Sequence, residues 1–181
     1  YESDVYYWDL FNELPAGQAV TSGKLSFDAL GINNSTEGKL HLAGMIDKDL
    51  GTDINDRSYF LQIRRNISEF VGVLPQASVK GRVDCSWFDG QSSANYDIPW
   101  DPSVTYNVQL TWDSTSTSLQ ISGEDGLNIS ATATLPQKFA PLQQTVFFGN
   151  PPSSAGYEAL TGVTYSNITL EAYEFSDSVR L

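Results

Sequence analysis

Tyr106, Val108, Leu110 and Trp112 alternate with Asn107, Gln109 and Thr111. A polar stretch, Asp113 to Thr117, interrupts the alternation, and Leu119 and Ile121 then alternate with Ser118, Gln120 and Ser122. Successive side chains leave a β-strand on opposite sides, so two period-two runs joined by a polar loop predict an antiparallel hairpin over residues 105–126 with one buried face. Shorter runs of the same kind fill the rest of the chain. Residues 5–11 (VYYWDLF) form a largely apolar opening strand, 23–30 (GKLSFDAL) turn Leu25, Phe27 and Ala29 inward, and 38–46 (GKLHLAGMI) set His41 opposite Leu40 and Leu42. Strands are further expected over 58–65, 69–74, 81–88, 128–135, 144–149 and 161–175.

About ten short strands separated by turn residues, with no helical periodicity, predict an all-β chain folded as an antiparallel β-sandwich or barrel. There is no repeat of fixed period and no linker, so residues 1–181 read as a single domain. A chain of this length buries roughly 70% of its unfolded surface, enough for a core without covalent staples. The 9 Tyr, 9 Phe and 4 Trp suit strands.

Charge narrows the partners. With 22 acidic and 10 basic residues the net charge is −12, which repels polyanions and argues against nucleic acid and anionic membrane as partners. The single cysteine, Cys85, excludes an internal disulfide and a cysteine-based zinc cluster. No apolar run approaches the ~18 residues of a membrane span. The chain opens at Tyr1 without a basic-then-apolar leader, and the expectation is a processed, secreted protein. Five N-x-[ST] sequons, at Asn33, Asn34, Asn66, Asn128 and Asn167, support that expectation; Asn34, Asn66, Asn128 and Asn167 are the candidate glycosylation sites.

Asp47, Asp49, Asp53 and Asp56 lie in one loop around Gly51. Oxygen ligands at close spacing around a glycine fit calcium, although the regular order of an EF-hand loop is missing. The competing reading is a solvated acidic turn.

The run Trp100-Asp101-Pro102-Ser103-Val104-Thr105-Tyr106 leading into Leu110-Thr111-Trp112-Asp113, then Leu119-Gln120-Ile121, and later Phe147-Phe148-Gly149-Asn150 before a long closing strand, resembles the concanavalin A-like lectin and glucanase superfamily, including its laminin-G-type jelly rolls. The resemblance covers roughly residues 20–175 and implies a jelly-roll sandwich whose curved sheet binds carbohydrate. Some members also cleave glycans. The glucanase branch carries its two carboxylates as E-x-D-x-x-E on one strand, and no such stretch exists here.

The cations are unevenly spread: Lys48, Arg57, Arg64, Arg65, Lys80 and Arg82 are six of the ten. Strand parity puts Gln62 with Arg64, and Arg82 with Asp84 across from Val83, Cys85 and Trp87. A face of Gln62, Arg64, Arg82 and Asp84 would donate and accept hydrogen bonds to sugar hydroxyls and offer guanidinium forks to a uronate or sulfate. Trp100, after Pro99, is a candidate stacking platform. The alternative for such a face is a set of solvated Arg–Asp pairs.

His41, Gln62 and Arg64 are also similar to the Q-[IV]-H site of jelly-roll polysaccharide lyases, with Arg in place of His; Tyr165 would supply the proton-transferring tyrosine. The leading expectation is a carbohydrate-binding, lectin-like domain without catalysis. The alternatives are a lyase acting on an acidic glycan and a homo-oligomeric filament subunit. In the last, residues 1–11, apolar on both faces, would add to a neighbour's sheet edge.

Overall fold

The computed structural model describes residues 6–16, 18–32, 40–47, 59–65, 76–83, 86–89, 101–113, 116–134, 144–148, 158–159 and 162–177. The strands are β1 (Tyr6–Asp9), β2 (Gln18–Leu30), β3 (Leu40–Asp47), β4 (Tyr59–Arg65), β5 (Gln76–Val83), β6 (Ser86–Asp89), β7 (Thr105–Trp112), β8 (Ser116–Gly123), β9 (Asn128–Thr134), β10 (Gln144–Phe148), β11 (Glu158–Ala159) and β12 (Thr164–Asp177). One 3-10 turn, Leu10–Asn12, is the sole helical element among the described residues. In β4, β5 and β6 the backbone alone is described, and in β3 the side chain of Ala43 only.

Two sheets form. The first runs β1-β10-β3-β4-β5-β6 with β11 beside β3, and the second runs β12-β2-β7-β8-β9. Every pairing is antiparallel except β11 with β3. This is the β-sandwich that the alternation predicts.

Register explains the core. Leu25, Leu110 and Leu119 lie opposite one another across β2, β7 and β8, and Phe27, Val108, Ile121 and Ile129 form the next row across β2, β7, β8 and β9. All are buried, with Val146 and Phe148 of β10 in the same core. Tyr106 is buried opposite Gly123. A β-carbon on Gly123 would come within 2.7 Å of the tyrosine ring, so the glycine makes room for it. The Tyr106 hydroxyl donates to Asp125 Oδ2 (2.9 Å) and accepts from the Asp101 backbone N–H (2.8 Å). Asp101 in turn accepts from the N–H and hydroxyl of Ser103. The stretch from Asp101 to Tyr106 is thus a turn pinned to a buried phenol. Burial pushes that phenol's pKa up, while the bond from the Ser103 hydroxyl lowers that of Asp101.

A second tie crosses between sheets. Gln144 of β10, buried, accepts from the Val20 N–H (3.0 Å) and donates to the Val20 carbonyl (3.1 Å). Trp112 Nε1 donates to the same carbonyl at 3.2 Å. The glutamine amide acts here as a piece of strand backbone, satisfying polar groups that no water reaches.

Two expected strands are corrected. The run over 81–88 is a hairpin: β5 ends at Val83, β6 begins at Ser86, and these two residues are register partners. Arg82 therefore pairs with Trp87, and cross-strand partners share a face, so the two are not on opposite faces. The run over 5–11 stops at Asp9, where the chain turns and carries Leu10 into the core. The strand expected over 69–74 lies outside the described residues. β1 pairs with β10 of its own chain, from Tyr6 opposite Phe148 to Asp9 opposite Thr145. Thr145 Oγ1 donates to Asp9 Oδ1 at 2.9 Å. Among the described strands β1 thereby ends the first sheet.

Candidate functional site

The outward positions of the second sheet form three cross-strand rows. Ser166, Asp28, Asn107, Ser122 and Asn128 are in register, as are Thr169, Ser26, Gln109, Gln120 and Ser130, and Glu171, Lys24, Thr111, Ser118 and Thr132. Only Lys24, Asp28 and Glu171 carry charge; every other position is Ser, Thr, Asn or Gln. These are the polar partners of the buried residues in the same strands, so the alternation that makes the core also makes this face.

Asp28 organises one end. Asn107 Nδ2 donates to Asp28 Oδ1 (2.8 Å), Asn167 Nδ2 donates to Asp28 Oδ2 (2.7 Å), and Gln109 Nε2 donates to Asn107 Oδ1 (2.9 Å). A carboxylate only accepts, so both asparagine amides must turn nitrogen toward Asp28. Gln109 Oε1, Asn167 Oδ1 and the second hydrogen of each amide are left without a partner among the described residues. Beside them Ser26 and Thr169 share a hydroxyl–hydroxyl bond of 2.6 Å.

Asn167 reaches Asp28 through a β-bulge. Ser166 pairs with Asp28 and Thr169 with Ser26, so Asn167 and Ile168 together face the single residue Phe27. Asn167 has φ 50°, the left-handed region that asparagine tolerates better than other residues bearing a β-carbon. Asn167→Ala will therefore melt below Asn167→Gly, by about 1 kcal/mol of stability, the reverse of the usual strand preference; thermal unfolding of the two variants checks the order.

The next residue, Ile168, lines a cleft of about 320 Å³ with Tyr6, Phe148, Val163, Thr164 and Tyr165. The cleft opens between β12 and β1, which among the described strands end the two sheets, and its walls are mainly aromatic and aliphatic. The bulge thus gives one residue, Ile168, to the apolar recess and its neighbour, Asn167, to the polar rows. At the far end, Glu171 receives Lys24 Nζ and, at 3.0 Å, the Tyr173 hydroxyl. The bond from Lys24 holds the Glu171 carboxyl below its usual range, and the bond to Glu171 raises the Lys24 ammonium and the Tyr173 phenol.

The residues singled out in the sequence are distributed differently. His41 is in register with Arg64, Gln62 with Gly44 and Ser78, and Arg64 with Gln76. Counted from the buried Ala43 and its partner Ile63, Gln62, Arg64 and Arg82 occupy alternate register positions, on the outward rows of the first sheet. Tyr165 is not with them. It pairs with Ala29, an inward position, and its ring packs edge-on against Phe27 (5.8 Å) and Phe148 (5.1 Å) between the sheets. Tyr165 thus stands between the sheets, whereas Gln62 and Arg64 occupy outward register rows of the first sheet.

Asp47 ends β3 opposite Gln144. Asp49, Asp53, Asp56, Asp84, Trp100, Asn34 and Asn66 lie outside the described residues. Among the described residues no three His, Cys, Asp or Glu gather as a metal set. Asn128 and Asn167 both stand on the polar face of the second sheet, so a glycan on either would project from it.

No protein-family model matches the chain, and no curated protein does. Solved structures do. The chain is similar to the full-length tailspike protein 2 of an Escherichia coli O157:H7 bacteriophage, with 13% identity, a TM-score of 0.62, and 95% of this chain and 22% of that one covered. It is also similar to the GH43 protein BlXynB of Bacillus licheniformis, as a K247S mutant, with 10% identity, a TM-score of 0.51, and 84% and 28% covered. A Bacteroides ovatus protein, xyloglucan PUL GH43B, gives 10% identity, a TM-score of 0.50, and 88% and 28% covered. The chain spans about a quarter of the length of these proteins, and at such identities the likeness is one of fold.

Proposed function

We propose that the chain is a secreted, carbohydrate-binding β-sandwich module of the concanavalin A-like kind, which holds a glycan without transforming it. The observation that carries the reading is the outward face of β12, β2 and β7. Asp28 holds the amides of Asn107 and Asn167, and Asn107 holds that of Gln109, beside the Ser26–Thr169 hydroxyl pair; β12, which carries Asn167, also lines the apolar cleft. Sugar hydroxyls both donate and accept, and sugar rings also present apolar C–H surface, so a site for them needs both elements side by side. The sequence resemblance to a superfamily of glycan binders supports the reading, as does a fold shared with part of a protein named for xyloglucan. An elimination mechanism has less support, since the one tyrosine proposed for it points between the sheets.

A glycan array probed with protein made in a bacterial host, free of N-glycans on Asn128 and Asn167, tests the reading. The expected result is retention of at least one glycan class. Running the array with calcium and with chelator shows whether an ion held by Asp47, Asp49, Asp53 and Asp56 contributes. No retention under either condition would end the proposal.

A further inference from the structure

We infer that the glycan taken by this face is a neutral one, built of hydroxyl-bearing sugars without carboxylate or sulfate groups. The inference rests on the carbohydrate-binding reading and narrows it. An anionic sugar needs a cation with spare hydrogen-bonding capacity at the point of contact. Among the described side chains the one cation on the three rows is Lys24, and its ammonium is already held by Glu171. The charge at the amide end is the Asp28 carboxylate, which repels a second anion, in a chain whose net charge is −12.

The neutral groups lead the same way. Asn167 Oδ1 is an acceptor fixed by the turn of its amide toward Asp28, and Gln109 Oε1 by the turn of its amide toward Asn107 Oδ1. A carboxylate or sulfate, which only accepts, would meet them acceptor to acceptor, whereas a hydroxyl donates to them. The serine and threonine hydroxyls around them adapt to either role. Surface sheets usually carry alternating charges for solubility, and this face of an acidic chain instead carries amides and hydroxyls across all five strands. Five strands at about 4.8 Å spacing span roughly 19 Å, room for several sugar rings. The cationic positions Arg64 and Arg82 belong to the other sheet, so the charge of the ligand and the sheet it binds are tied together.

Isothermal titration against a neutral xylan or glucan oligosaccharide and against a polyuronate, each at low and high salt, tests the inference with wild type, Asp28→Ala and Asn107→Ala. The expected result is binding of the neutral glycan that changes less than twofold with salt and falls at least tenfold in both variants. Gln109→Ala, at the end of the amide chain and on the outward side of β7, should fall severalfold with a nearly unchanged melting temperature, which separates lost contacts from lost folding. Preference for the polyuronate, weakened by salt and unaffected by Asp28→Ala, would overturn the inference and leave the carbohydrate reading standing. Absence of binding to either class and to every glycan on the array would overturn both.

Discussion

Phe27→Ala will destabilise the domain by about 4 kcal/mol, lowering its melting temperature by roughly 10 °C, and will weaken glycan binding as well. Phe27 is fully buried, with its ring edge-on to Phe148 at 5.2 Å and to Tyr165 at 5.8 Å. It is also the residue of β2 that faces the Asn167–Ile168 bulge. Removing the ring takes packing away from Phe148 and Tyr165, which line the cleft, and from opposite the segment that brings Asn167 to Asp28. Leu110→Ala is the matched comparison. It empties a core position opposite Leu25 and Leu119, away from the bulge, and will cost about 2 to 5 kcal/mol while leaving affinity near wild type. Equal loss of affinity in the two variants would show that the bulge is not specifically seated on Phe27.

Gln144→Leu keeps size and removes the amide. The Val20 carbonyl retains Trp112 Nε1, but the Val20 N–H loses its acceptor in a place closed to water. An unsatisfied buried donor costs about 1 to 3 kcal/mol, so the denaturation midpoint should fall by several degrees. Gln144→Glu should lower it further at neutral pH, because a buried carboxylate accepts from the N–H but meets the carbonyl oxygen with a like partial charge. A melting temperature unchanged in Gln144→Leu would mean that the N–H finds another partner.

The core and the sheet order follow different kinds of information. The hairpin of β7 and β8 is written in the alternation of Tyr106, Val108, Leu110 and Trp112, because burial on one side of a strand is a local property of the sequence. Pairing between distant segments is not local: nothing near Gln144 announces that it will meet Val20, 124 residues away. The hairpin between β5 and β6 escaped the pattern because GRVDCSWF keeps its apolar alternation through the turn. Parity alone makes it one strand. The polar rows were legible in principle, since Ser26, Asp28, Asn107 and Gln109 are the skipped positions of the clearest strands. Arginines stand out in a sequence by their charge, whereas a serine–amide face is conspicuous only when five strands are laid side by side. The role of Asn167 was hidden for another reason. In the sequence it is a sequon, and only the bulge, with its left-handed backbone, turns it toward Asp28.

The central claim is that a glycan lies on the outward face of β12, β2 and β7. Amide chemical-shift mapping of the ¹⁵N-labelled protein, titrated with a neutral oligosaccharide retained on the array, tests it most directly. The account predicts shifts concentrated at residues 24–29, 107–111 and 164–171, with the amide side-chain signals of Asn107, Gln109 and Asn167 among the most affected. Shifts confined to residues 40–47, 59–65 and 76–83 of the other sheet would contradict it.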